Sequence, residues 1–525
     1  MNFFSIVCPP RLLATLALIS SMAGASAVRA ADAIERPATT ALVTVTDDAA
    51  SFTLANGIVT ARINKRNGNM TSLLYHGVET MGGGGYWEQT PQAAKPTITI
   101  DPATNGGERA EVSIKGLPGG RGGFDMEFRY TLARGTSGIY VYGIYTHPAS
   151  YPAAGLGESR YITKLSHTFN WISVDADRNM LECTPEDWGA GTVVHAKEQR
   201  ILGTGYYKNS VEHKYSYNAV QYRIPAYGWS STKDHVGVWF INPTTEYLGG
   251  GAEKIELVAH YDDRESPDPI ILNYWSAGHY AGGASVRVPA GEEWNKVIGP
   301  IFVYCNALAA PKTPSPADLA TLEATAGNPT VPPAWRDNAN TLFDDALAQA
   351  KKEKGAWPYD WVKGVDYPHK HERGNVTGQL VLNDAQAASA KLPHLTVGLA
   401  HADYPGGNAR AGNNGIVTWP HAGNYYQFWT DSTDDGKFTI TNIRPGTYTL
   451  HAFADGVLGE FAQTNITVTA GKDIDLGKLA WKPVRYGRQI WEIGYPSRAG
   501  DKFFKGDGAN YWLWGWGLRY PLLFQ

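Results

Sequence analysis

Cysteine is scarce in this chain: 3 of 525 residues, at positions 8, 183 and 305. That excludes a disulfide framework and any zinc-ligand spacing. One bridge between Cys183 and Cys305 is conceivable in an oxidising compartment, but two buried thiols are the expectation. Charge is also sparse, at 18% of residues with a formal net charge of −4, so the electrostatic footprint of a nucleic-acid binder is missing. After the first thirty residues no apolar run approaches a membrane span. The glycine loop "MGGGGYWEQ" (81–89) lacks the Lys-Ser/Thr that a phosphate cradle needs, which excludes a P-loop.

Glycine and aromatic residues are abundant: 58 Gly, 17 Trp and 29 Tyr. Many glycines and rings with few charges predict a turn-rich, mainly β protein. The rings either fill its cores or stack on sugar faces. The start, "MNFFSIVCPPRLLATLALISSMAGASAVRAAD", has Arg11, an apolar stretch from Leu12 to Ile19, then small residues to Ala30. This is the pattern of a secretory signal peptide cut near Ala30, so a secreted protein, extracellular or periplasmic, is expected.

From about Leu42 to Leu308 short alternating runs are separated by turn signals. Asn67-Gly68, between two such runs, predicts a hairpin. Repetition over this length predicts a large sandwich of antiparallel sheets. A Pro- and Ala-rich linker spans 310–335, and "DNANTLFDDALAQAKKEKG" (337–355) predicts a helix. Asp344 and Asp345 lie towards its start, three lysines near its end, and Gly355 is expected to stop it. The domains expected are a signal peptide over 1–30, a β-supersandwich with linker and helix over 31–372, a seven-strand-type sandwich over 373–483, and 484–525, too short for its own core. Two further clusters are bland. "HKHE" (369–372) predicts a surface turn rather than a metal site. Adjacent aspartates in "YDDRE" (261–265) point to opposite faces of a strand, which argues against a glycosidase pair.

One histidine stands out. In "ILNYWSAGHYAGG" (271–283) His279 follows an aromatic run and lies among mostly small residues, which leaves room for a ligand. With "NGNMTSLLYHG", "GGYWEQ", "GESRYITKL" (157–165), "HKYSYN" (213–218), "GVWFINPTTEYLGGG" and "GEEWNKVIGPIFVYCN", this stretch makes an ordered series continued downstream by "WPYDW", "RGNVTGQL", "NIRPGTYTL" and "IWEIG". Single motifs of this kind are weak, but the order is specific. The series resembles the rhamnogalacturonan lyases of polysaccharide lyase family four, from about Leu54 onwards.

The resemblance implies a galactose-mutarotase-like β-supersandwich, a fibronectin-III-like sandwich and a carbohydrate-binding jelly roll, here only begun. It implies β-elimination on pectin's rhamnose–galacturonate backbone by a monomer, without cofactor, nucleic acid or membrane. Such chemistry needs a base for the C5 proton, a donor for the leaving oxygen at C4, and positive charge beside the carboxylate. The family's base falls on Lys214 and its proton donor on His279. Arg160 matches a carboxylate-binding arginine, Lys164 a second one that fungal members carry as arginine, and Tyr274 a tyrosine near substrate. A strand would put 160 and 164 on one face. Leu272 replaces a second fungal tyrosine, and two groove arginines of the third domain lie past the chain's end. The competing expectation is a catalytically impaired pectin-binding protein lacking its third domain. A third, an aldose epimerase, has only the shared supersandwich shape behind it.

Overall fold

A computed structural model describes residues 33–490, apart from 38, 119–122, 194–198, 263–266, 277–284, 387–391, 393–394, 407–414 and 489. Strand alternation follows the sequence pattern. In Val59–Asn64, for example, Val59, Ala61 and Ile63 are buried while the residues between them are not. The hairpin at Asn67-Gly68 forms between this strand and Met70–Tyr75, with Gly68 left-handed at φ +76°.

Two nine-stranded sheets face each other. The first runs from Thr44–Asp47 at one edge to Ala259–Tyr261 at the other. Four of its strands matter below: β1 (Met81–Trp87), β2 (Ser159–Leu165), β3 (Ala259–Tyr261) and β4 (Pro269–Ser276), which lie side by side in the order β1-β2-β4-β3. The second sheet has Ala226–Ser230, Val236–Ile241, Trp294–Ala307 and Gly138–His147 in neighbouring positions at its middle. Every strand pairing within these two sheets is antiparallel, as expected for a β-supersandwich. Aromatic rings fill the space between them: Trp87 stacks on Phe128 at 5.2 Å and Tyr161 on Phe240 at 5.6 Å.

Three helices bear on the expectations: α1 (Pro185–Ala190), α2 (Pro316–Ala324) and α3 (Pro333–Ala356). Helix α3 covers the outer face of the second sheet. Leu342, Phe343, Ala346 and Ala350 recur at helical spacing and pack on Tyr140, Tyr142, Trp239, Phe302 and Tyr304. It departs from the expectation in two ways. It starts at Pro333, so Asp344 and Asp345 lie mid-helix rather than near the positive end of the dipole. Asp345 instead accepts hydrogen bonds from Tyr304 (2.7 Å) and Asn306 (2.8 Å). Nor does Gly355 stop it: the helix runs on to Ala356 and ends where Pro358, which has no N–H and crowds the preceding turn, blocks another turn. The linker is also more ordered than expected. Ser315 and Asp318 form a reciprocal capping box that starts α2 inside it.

A smaller sandwich follows, with a three-stranded sheet containing Gly374–Leu382 and a four-stranded sheet containing Thr396–Ala400. Val376, Leu380, Val397, Leu399, Leu450 and Trp481 are in its core. It is stitched to the large sandwich by buried charge. Glu246 lies between Arg373 (2.6 Å) and Arg444 (3.3 Å), and Lys296 donates to the carbonyls of Gly423 (2.7 Å) and Tyr425 (3.0 Å). Cys183 and Cys305 are both buried and unbridged, as expected, and burial pushes both thiols up. Among the described residues no helix is long and apolar enough to cross a membrane.

Candidate functional site

The outer face of the first sheet is built by register. Residues directly opposite in an antiparallel ladder share a face. Arg160 opposes Tyr274, Ile162 opposes Leu272 and Tyr86, and Lys164 opposes Ile270, which in turn opposes His260. The alternate residues Tyr161, Ile271 and Tyr261 turn inward to the main core. Ile162, Ile270, Leu272 and Tyr274 form a separate apolar strip on the outside, joined by Leu257 and Tyr86. Arg160 and Lys164 stand on this strip about 13 Å apart along β2 at ordinary strand rise.

The glycine run in β1 makes room for Lys164 and Asp268. A Cβ at Gly83 would lie 2.8 Å from Cδ of Lys164 and 2.6 Å from Oδ2 of Asp268. The loop that lacks a phosphate-binding signature is therefore a bare floor over which two charged side chains lie.

Carboxylates already hold the cations. Arg160 donates from Nε to Glu88 (2.7 Å), and its Nη1 lies 2.6 Å from Glu158 and bonds to the Tyr274 hydroxyl. Its guanidinium stands over the Tyr274 ring at 4.9 Å. Burial works against its charge, but Tyr274, Glu88 and Glu158 outweigh that and hold its pKa above the ordinary arginine value. Lys164 pairs with Asp262 at 2.9 Å and lies 5.7 Å from the Tyr86 ring. Beneath Tyr274, Lys254 donates to its carbonyl at 2.7 Å. Burial pulls Lys254 down to about 8 and pushes the neighbouring Glu256 up to about 8.

Lys214 opens a short 3-10 turn, Lys214–Tyr217, directly after the strand Val211–His213. This turn borders the same face at its β3 edge. The Tyr217 ring stacks on His260 at 5.2 Å, and the Tyr217 carbonyl accepts the Val258 N–H at 3.2 Å. Lys214 itself is half-buried. The register thus gathers Arg160, Lys164 and Tyr274 on one face and sets the Lys214 turn along its edge. His279 lies outside the described residues. Leu272 is 1% exposed within the apolar strip.

Sequence reasoning missed the residues that hold the cations. Glu158 sits two residues before Arg160, and Glu88 falls in "GGYWEQ", so each was within reach of a motif-by-motif reading. Asp262 reads in the sequence only as half of a disfavoured glycosidase pair. Nothing local marks His260 or Glu212. Among the described residues no group of three or more His, Cys, Asp or Glu side chains is arranged to hold a metal ion.

Two family models match the chain: "Rhamnogalacturonate lyase family" over 116–196, the segment with Arg160 and Lys164, and "Polysaccharide lyase family 4, domain II" over 405–476, within the smaller sandwich. A rhamnogalacturonate lyase of Dickeya dadantii is 27% identical over 410 residues, covering 76% of this chain and 57% of that protein. A probable rhamnogalacturonate lyase B of Aspergillus niger is 24% identical over 279 residues, covering 53% of this chain and 32% of its own length. The chain thus spans little more than half of the first relative and a third of the second. Among solved structures, a galactose mutarotase-like protein from Lactobacillus casei overlaps 50% of this chain and 99% of its own at 8% identity and a TM-score of 0.27. The fold assignment stands on the strand order, and the resemblance to rhamnogalacturonan lyases is borne out.

Proposed function

We propose that this relative of the rhamnogalacturonate lyases cleaves the rhamnose-(1→4)-galacturonate bond of rhamnogalacturonan I by β-elimination. The observation that carries the reading is the gathering of Arg160, Lys164 and Tyr274 on one outer sheet face with the turn of Lys214 along its edge. The matching family models and homologues support the substrate class.

In this reading the galacturonate carboxylate docks on Arg160, whose planar fork suits it, and displaces one of the two carboxylates already there. Neutralising that carboxylate makes the C5 proton acidic enough to remove. The Lys214 amine takes the proton. The C5 electron pair forms the C4=C5 double bond, the C4–O bond breaks, and the departing oxygen takes a proton from the His279 imidazolium. Lys164 holds a second anionic unit further along the chain, and Tyr274 offers its hydroxyl at the edge of the site. Residues 1–30 serve as the export leader and the protein works outside the cytoplasm on pectin; the amino terminus of the exported protein, found by Edman sequencing, tests that.

The decisive experiment incubates the protein with rhamnogalacturonan I and follows ultraviolet absorbance of the conjugated uronate end. The signal should grow with wild type and vanish in Lys214→Ala and in His279→Ala. Wild-type rates in both variants would end the assignment. A second reading, a pectin-binding protein without turnover, has one observation in its favour: Arg160 and Lys164 are both already neutralised by carboxylates of the protein itself. It predicts polysaccharide retention on an affinity gel with no absorbance change.

A further inference from the structure

A single carboxylate oxygen ties together the two ends of the Lys214 turn. Glu212 Oε1 accepts the His213 N–H at 3.0 Å, one residue before Lys214, and the Tyr217 hydroxyl at 3.1 Å, three residues after it. Tyr217 is 1% exposed, and its ring is stacked on His260. His260 is itself fully buried, with Nε2 3.6 Å from the same Glu212 oxygen and its ring edge-on to Trp188 at 4.6 Å. Glu182, 2% exposed, lies against the same group. Burial and the nearby Glu212 charge push the Glu182 carboxyl well up, whereas His260, the His213 N–H and Tyr217 outweigh burial and hold Glu212 down.

A hydrophobic residue at 212 would fill the same space at less desolvation cost, so the carboxylate has a use beyond packing. Its two bonds span the main chain on either side of Lys214. An amine on a flexible four-carbon stem reaches a fixed C5 proton only if its backbone is fixed first. We propose that Glu212 is the positioning residue for Lys214, acting by clamping the 214–217 turn through His213 and Tyr217 rather than by touching substrate. The inference rests on the reading of Lys214 as the base.

The geometry separates this role from both packing and charge. Both bonds end on one oxygen, and glutamine keeps an acceptor there while losing the charge. Glu212→Ala should lower kcat about 50-fold with KM within about twofold, Tyr217→Phe about tenfold, and Glu212→Gln no more than about threefold. A readout independent of turnover is the acylation rate of Lys214 by acetic anhydride, relative to the exposed Lys472 and read by mass spectrometry. It should rise about fivefold in Glu212→Ala as the turn opens, and stay at the wild-type value in Glu212→Gln.

If Glu212→Ala does not fold, the Tyr217→Phe and Glu212→Gln pair carries the test, with melting temperature as the check. Glutamine as damaging as alanine would replace positioning with a charge effect and overturn the proposal. So would a KM rise that accounts for the whole loss, or unchanged Lys214 acylation in Glu212→Ala. Wild-type turnover in Lys214→Ala would instead refute the base, while the acylation data would still report on the clamp.

Discussion

On the outer face of the second sheet, α3 lays Leu342, Phe343 and Ala346 over Tyr140, Phe302 and Trp239. Carboxylates on that face are enclosed and hydrogen-bonded. Glu111 accepts from Thr131 (2.8 Å) and Tyr142 (2.6 Å), and Glu353 from Tyr140 (3.0 Å) and Gln349 (2.8 Å). Among the described residues no such helix lies on the outer face of the first sheet. Its apolar strip is narrow, and its cations are partly open to water, with side-chain exposures of 22% for Arg160 and 17% for Lys164. One face spends its residues on packing. The other leaves charge partly exposed and holds it in place with carboxylates. The same strand periodicity produced both; what lies over each sheet separates structural from chemical use.

Substitutions on the two faces should therefore fail differently. The largest effect belongs to the open face: Lys214→Ala should cost about 10³-fold in kcat, with an unchanged thermal melt. On the covered face, Phe343→Ala should lose about 3–5 kcal/mol of unfolding free energy by denaturant titration while the folded fraction keeps its kcat. A drop in kcat there would blur the contrast. Arg160→Lys keeps the charge but loses the fork, and kcat/KM should fall about 30-fold with little change in melting temperature.

The smallest effect concerns a lysine on neither face. Lys296 is fully buried beneath the smaller sandwich, and burial, with Lys254 and Arg444 nearby, pulls it down to about 7. Between that value and the ordinary lysine range the unfolded chain binds more protons than the folded one, so this group adds stability as pH rises from about 7 towards 10. The melting temperature of wild type relative to Lys296→Met should climb across that window by a few degrees. A flat difference would show Lys296 charged inside the fold.

Much of the architecture was legible. Alternation at Val59, Ala61 and Ile63, the Asn-Gly turn and the stripe through Leu342, Phe343 and Ala346 each predict their element from residues close together in the chain. Errors fell where a competing local signal was overlooked. The Ser315–Asp318 box was hidden in a proline-rich run, and Pro358 rather than Gly355 ended the long helix. The site was legible only as motifs. Arg160, Lys164 and Tyr274 could be named, but not the groups that hold them, because Glu88, Glu158 and Asp262 meet them through strand register or side-chain reach. Glu212 lies beside Lys214 in sequence, yet its role depends on Tyr217 being pinned by His260 from another strand.

By itself the sequence determined the mainly β class, the period-two faces, the absence of a disulfide framework and the residue types available for chemistry. These are properties of neighbours a few positions apart, and backbone sterics and side-chain periodicity act at that range. Only the tertiary structure decided which sheet face stays open, which carboxylates occupy Arg160 and Lys164, and how the Lys214 turn is pinned. Those outcomes depend on register between strands whose paired residues are up to 117 positions apart in the chain. A one-residue slip in any of those ladders would turn every side chain of that strand to the other face.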